Sequence, residues 1–257
     1  MRRLIWAYLK FLMRSKNQHG VHSPFVFSLI TKCLYDKTKY KAYNQLSSYR
    51  RQLLNDKSSI EVSDLGPGSQ VIKSKNRIIR DIARIAGTTP FRARMLFRLT
   101  RYFESKRILE LGTSLGLGTQ AMSLGNPEAR IRSIEGCPNI RDYSQNHFKT
   151  MGITNVEFLQ GDFDQVLDGL KSDCYDLIFI DGNHQKLSTL NYFNRLLKQV
   201  HNDSVMIFDD IHWSPEMEEA WHEIRSHDRV TVSIDTFFWG LVFFRKEQPK
   251  QHFTIRV

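Results

Sequence analysis

A chain of 257 residues, 41% hydrophobic and 25% charged, is long enough to bury a substantial core, and this balance excludes a disordered chain. Its three cysteines, Cys33, Cys137 and Cys174, form no CxxC pair. That excludes a disulfide framework and a thiolate zinc site, and it points to a reducing cytoplasm. The net charge of +10 is uneven: residues 1–107 carry 23 Lys and Arg against 6 Asp and Glu, residues 108–257 carry 14 against 21. A basic first part implies an anionic partner (nucleic acid, a phosphorylated or carboxylated acceptor, or lipid headgroups) or else a solvated face attracted to the acidic remainder.

The opening run MRRLIWAYLKFLMRSK begins basic and turns apolar, but Lys10 interrupts it and no small-residue cleavage site follows. It is therefore expected to be neither a signal peptide nor a membrane span. Leu4, Ile5, Tyr8, Leu9, Leu12 and Met13 fall at helical spacing, which predicts an amphipathic helix packed on the protein itself rather than on a membrane surface. Asn17 to Phe25 reads as a break between helices, with Ser23 as N-cap and Pro24 in the first turn. His19 and His22 lie in this break and read as local hydrogen-bonding residues. Residues 1–57 form a helical extension in this reading.

Residues 58–106 read as a basic lid or linker. Ile60 to Ser63 is strand-like and ends in the glycine turn Asp64 to Ser69. A basic helix over 73–86 is expected to turn Lys73, Lys75, Arg77 and Arg80 outward. A further helix is expected over 90–103, with Phe91, Met95, Leu96, Leu99 and Phe103 at helical spacing.

From Arg107 the pattern changes to short apolar runs alternating with helices, at 108–111, 131–134, 156–159, 177–180 and 205–208. This is the signature of βαβ units and a parallel sheet. Two last runs, 230–234 and 241–244, are too close for a parallel crossover and must form an antiparallel hairpin. The expected fold over 107–257 is α/β: a Rossmann-like, seven-stranded mixed sheet of five parallel strands plus a C-terminal hairpin, flanked by helices.

The central motif runs Ile108-Leu109-Glu110-Leu111-Gly112-Thr113-Ser114-Leu115-Gly116-Leu117-Gly118-Thr119. A buried strand ends in a glycine-rich turn that opens a helix, and ligands of open α/β sheets bind at such strand ends. Gly116 to Ala121 also fits a dinucleotide GxGxxA pattern, so an NAD-binding oxidoreductase is one alternative. Against it, the strand is followed by Gly112, with Gly116 four residues later, and Glu110 stands where a pyrophosphate would be repelled and a cationic ligand welcomed. Acids recur after every parallel strand: Glu135, Asp162, Asp181, and the pair Asp209 and Asp210. Together they read as one site.

The segment from about Arg107 to Arg245 resembles class I S-adenosylmethionine-dependent methyltransferases, specifically the catechol and caffeoyl-CoA O-methyltransferase-like branch. The resemblance implies S-adenosylmethionine as cofactor. Glu110, Gly112, Thr113, Ser114, Gly116 and Thr119 would line its methionine part, Glu135 and Gly136 the ribose, and Asp162 and Phe163 the adenine, with Asp181 close by. It also implies a divalent metal, for which Asp181 and Asp209 match the expected positions and Asp210 replaces an Asn. Three carboxylates suit Mg²⁺. His184, three residues after Asp181, is the candidate catalytic base alongside Asp181, and His212 and Trp213 are candidates for shaping the acceptor pocket. The function expected is O-methylation of a small molecule, an anionic one included, by a cytoplasmic protein, with an oligomer left open. RNA or another macromolecule as acceptor, using the basic N-terminal part, is a second alternative, and a non-catalytic binding module a third.

Overall fold

The computed structural model of the chain describes residues 2–63, 74–170 and 173–257. The glycine turn Asp64 to Ser69 and Lys73 therefore lie outside the described residues.

The first elements are α1 (Arg2–Arg14), α2 (Pro24–Leu29) with a π-helical continuation Ile30–Leu34, and α3 (Ala42–Asn55). Pro24 opens α2 and the Ser23 hydroxyl accepts from the Val26 N–H at 3.4 Å, as the sequence predicts. His19 and His22 are exposed beside this cap. Next come β1 (Ser59–Glu61), β2 (Asn76–Ile78), α4 (Ile79–Ile85) and α5 (Pro90–Tyr102). The helix expected from residue 73 starts only at Ile79, because Asn76–Ile78 pairs antiparallel with Ser59–Glu61. That pairing turns Arg77 inward: it is buried, its Nε–H donating to the Ser74 carbonyl at 3.0 Å, and is not the outward base expected.

The alternating part follows as β3 (Arg107–Leu111), α6 (Leu117–Gly125), β4 (Arg130–Glu135), α7 (Pro138–Thr150), β5 (Val156–Gln160), α8 (Phe163–Gly169), β6 (Tyr175–Ile180), α9 (Lys186–Leu196), β7 (Val200–Asp209) and α10 (Pro215–Ser226). It closes with β8 (Val232–Asp235), β9 (Trp239–Phe243) and β10 (Gln251–Thr254). Among the described residues, eight strands form one mixed sheet in the order β10-β8-β9-β7-β6-β3-β4-β5. The hairpin of β8 and β9 is antiparallel as expected, and β9 also pairs antiparallel with β7. The extra strand β10 joins β8 in parallel; its sequence, Gln-His-Phe-Thr, carries a single apolar residue and so gave no strand signal.

The chain divides into two compact units, Met1–Tyr35 with Lys171–Val257, and Asp36–Leu170. In the second, Tyr49 and Leu53 of α3, Ile79, Ile82 and Ala83 of α4, Leu115 and Leu117 after β3, and Ile140 and Phe148 of α7 share one buried cluster. The helices that precede the glycine loop therefore help hold it. In the first unit, α1 packs through Phe11, which is buried, whereas Ile5, Leu9 and Met13 of the predicted inward stripe are exposed.

Candidate active site

In the unit Asp36–Leu170, β3 and β4 run parallel with Glu110 opposite Ser133. Glu110 is fully buried, and its Oε2 accepts from the hydroxyls of Ser133 and Thr119, both at 2.5 Å. Since Ser133 gives its proton to Glu110, Thr113 Oγ1 donates in turn to Ser133 Oγ at 2.5 Å. Burial drives the Glu110 carboxyl up to about 8; the two hydroxyl bonds oppose this and the neighbouring Glu135 adds to it. At neutral pH the isolated group therefore holds its proton most of the time. Glu110 thus presents a negative charge only once a cationic ligand draws that proton off.

The loop between β3 and α6 is braced by side chains from β4, α7 and α3. Glu135, at the end of β4, accepts from the Ser114 N–H at 2.8 Å through Oε2 and from the Cys137 N–H at 3.0 Å through Oε1. Ser144 of α7 donates to the Ser114 carbonyl at 2.8 Å, and Tyr49 of α3 donates to the Leu115 carbonyl at 2.7 Å. Gly112 and Gly116 have φ of 101° and 74°, and Ser114 has φ of 47°. At Gly116 the reason for glycine is doubled, because a Cβ there would sit 2.7 Å from the Phe148 ring. Gly136 follows Glu135 directly, and it is half-buried. Asp162 caps α8, its Oδ1 accepting from the Asp164 N–H at 2.9 Å, with Phe163 as the first helical residue.

In the other unit, Asp181 follows β6 and leads into Asn183 and His184, whose φ values are 67° and 33°. Asp209 ends β7 and is buried, its Oδ1 accepting from the indole Nε1–H of Trp239 on β9 at 2.6 Å. One ligand atom each of Asp181, His184 and Asp209 lies within 4.8 Å of the others, and His184 Nε2 is 3.7 Å from Asp181 Oδ1. Asp210, expected as the third carboxylate, is not in this group; β7 ends at Asp209 and the backbone turns at Asp210 with φ of 53°. With an imidazole as third member, this mixed oxygen and nitrogen set suits a transition ion better than Mg²⁺, which prefers oxygen ligands.

His212 is held elsewhere in this unit. Its Nδ1 is 3.1 Å from Glu218 Oε1, its Nε2 is 2.9 Å from Asp235 Oδ2, and its ring stacks on Phe237 with centroids 5.1 Å apart. Both nitrogens are thereby engaged in structural bonds, and Trp213 beside it is exposed. Sequence reasoning missed Ser133, Tyr49, Ser144 and Trp239. Ser133 alone left a signal: it stands two residues before Glu135 in an otherwise apolar and basic strand, so both point to the same face.

Residues 109–211 match a family model described as a methyltransferase domain. Over those residues the chain is similar to that methyltransferase domain. The match sets aside the dinucleotide reading of Gly116 to Ala121. Uncharacterized protein R132 of Acanthamoeba polyphaga mimivirus is 26% identical over 129 residues, 49% of this chain and 53% of that protein. The caffeoyl-CoA O-methyltransferase of Stellaria longipes is 24% identical over 134 residues, 49% of this chain and 55% of that enzyme. The chain spans about half the length of the curated relatives it matches. Among solved structures, the O-methyltransferase TomG from Streptomyces achromogenes, in complex with SAM, aligns with a TM-score of 0.58 at 16% identity, covering 86% of this chain and 95% of that one. The SAH-bound Podospora anserina methyltransferase PaMTH1 aligns with a TM-score of 0.60 at 15% identity, over 88% and 98%. At such identities these likenesses establish the fold of the methyltransferase domain. No helix among the described residues is long and apolar enough to cross a membrane.

Proposed function

We propose that the chain is an S-adenosylmethionine-dependent O-methyltransferase acting on a small molecule, with 107–257 as its catalytic segment and a reducing cytoplasm as its setting. The observation that carries this reading is a glycine-rich loop, braced by Glu135, Ser144 and Tyr49, inside the stretch that matches the methyltransferase family. In the proposed complex, Glu110 and the loop residues Gly112, Thr113, Ser114, Gly116 and Thr119 serve the methionine part. Glu135 and Gly136 serve the ribose, and Asp162 and Phe163 the adenine. Asp181 completes the set.

Bound S-adenosylmethionine supplies an activated methyl group on a sulfonium. An acceptor oxygen held by the protein would take that methyl, leaving a neutral thioether. The protein's work is to orient the acceptor and take its proton. His184 is the proposed base, with the Asp181 carboxylate 3.7 Å from its Nε2. No step is assigned to a metal. The basic balance of residues 1–107 supports an anionic acceptor.

Titration calorimetry with S-adenosylhomocysteine tests the reading. Binding in the micromolar range is expected, weakened at least tenfold in Glu135→Ala. No heat at high micromolar ligand overturns it.

A further inference from the structure

Four large apolar side chains of α1 face solvent: Ile5 is 54% exposed, Trp6 65%, Leu9 44% and Met13 79%. They form one stripe, because Ile5, Leu9 and Met13 are successive turns apart and Trp6 lies three residues before Leu9. The helix itself is anchored on its other side. Phe11 and Tyr8 meet the Phe237 ring with centroids 5.4 and 4.8 Å away, and Arg3 donates to the His212 carbonyl at 3.1 Å. A contiguous exposed apolar stripe on an anchored helix marks an interaction surface.

The surrounding charge says what kind. Residues 1–35 contain Arg2, Arg3, Lys10, Arg14, Lys16 and Lys32 and no Asp or Glu. Lys10 and Arg14 are exposed and follow Leu9 and Met13 by one residue, about 100° further round the helix, so they flank the stripe on one side. At 13 residues α1 is too short to cross a bilayer. An apolar stripe with a tryptophan and a purely basic flank is the arrangement of a helix lying in a membrane interface.

We propose that α1 docks the protein on an anionic lipid surface. Ile5, Trp6, Leu9 and Met13 enter the boundary between headgroups and acyl chains, and Lys10 and Arg14 meet headgroup phosphates. The inference does not rest on the proposed methyl transfer.

Sedimentation of the full chain with vesicles of phosphatidylcholine alone, or mixed with phosphatidylglycerol, tests it. The wild type is expected to pellet with the mixed vesicles at least tenfold more strongly than with the neutral ones, and less as salt is raised. The pairs Trp6→Ser/Met13→Ser and Lys10→Glu/Arg14→Glu are each expected to weaken that binding about tenfold or more. All four positions are exposed, so an unchanged melting temperature is the control that the variants are folded. Absence of pelleting, or pelleting that neither pair changes, overturns the proposal. So does a dimer of the wild type that Trp6→Ser/Met13→Ser dissociates while no vesicles are bound, because the stripe then serves a second copy.

Discussion

Ser133 and Glu110 stand opposite each other on adjacent parallel strands, and the serine hydroxyl donates to the Glu110 Oε2 at 2.5 Å. Thr119 donates to the same oxygen from the first turn of α6. A strand-end acid that looks in sequence like a fixed negative charge is thus the end of a buried hydroxyl chain. Its carboxyl is pushed up to about 8 chiefly by burial.

The first prediction follows from that proton. At pH 7 the carboxyl mostly holds it, and a ligand ammonium set against the group favours the carboxylate. Binding of S-adenosylhomocysteine near pH 7 is therefore expected to release close to one proton, the release fading above about pH 9 as the free group ionises by itself. Calorimetry in two buffers of different ionisation enthalpy measures the release directly. Glu110→Gln should abolish it. Equal heats in both buffers for the wild type would show that the ligand does not address Glu110.

Gly116 and Gly152 make a controlled pair. Both have positive φ, 74° and 71°, but a Cβ at Gly116 meets Phe148 at 2.7 Å whereas one at Gly152 meets nothing within 4 Å. Gly152→Ala should cost only the left-handed backbone, about 1–2 kcal/mol. Gly116→Ala adds overpacking against a buried ring and should cost roughly 2–5 kcal/mol in all. Urea unfolding of the two variants checks this. Equal losses would mean that the Phe148 ring moves aside freely.

These two glycines also mark what the sequence could and could not convey. The strand–loop–helix around Glu110 was legible because an apolar run, a glycine turn and a helical pattern follow one another locally. The need for glycine at 116 was not, since Phe148 is 32 residues away and comes close only through the packing of α7. The strand β10 was hidden for a related reason: Gln251–Thr254 owes its pairing to the edge of β8 rather than to its own apolar content. The acidic group after β6 and β7 was read as three carboxylates because chain order puts Asp209 and Asp210 together, whereas the backbone turn at Asp210 leaves His184 as the third member. The inward face of α1 was misjudged because periodicity identifies an apolar stripe without saying which part is covered.

His212 gives a prediction about pH. Burial lowers its pKa, but the bonds and charges of Asp235 and Glu218 outweigh that, and the net shift is upward from 6.5. Arg3 approaches the same Glu218, at 3.6 Å, and tempers its charge. A folded-state pKa above the unfolded one means that the stabilisation is fully present below pH 6.5 and is lost as pH rises through the folded value. Glu110 acts in the same sense: the fold holds its proton where the unfolded chain has lost it, so stability falls between about 4.5 and 8. His252, pushed down to about 4 chiefly by burial, acts oppositely but only below pH 6.5. Urea unfolding from pH 6.5 upward should therefore show falling stability, with a shallower slope in His212→Gln. An unchanged slope in that variant would remove His212 from the account.

The last prediction concerns the group after β6 and β7. Asp181, His184 and Asp209 bring two carboxylates and an imidazole together, and the Trp239 indole already engages one oxygen of Asp209. Mg²⁺ dehydrates reluctantly and prefers an all-oxygen octahedron, so no saturable binding below about millimolar Mg²⁺ is expected. Zn²⁺ accepts both donor types in a compact site. Any Zn²⁺ uptake seen by calorimetry should disappear in His184→Ala and survive in Asp210→Ala. Because the same imidazole is the proposed base, bound Zn²⁺ should inhibit methyl transfer rather than support it. Micromolar Mg²⁺ binding that Asp210→Ala abolishes would reverse this assignment, restoring the three-carboxylate set and leaving His184 outside it.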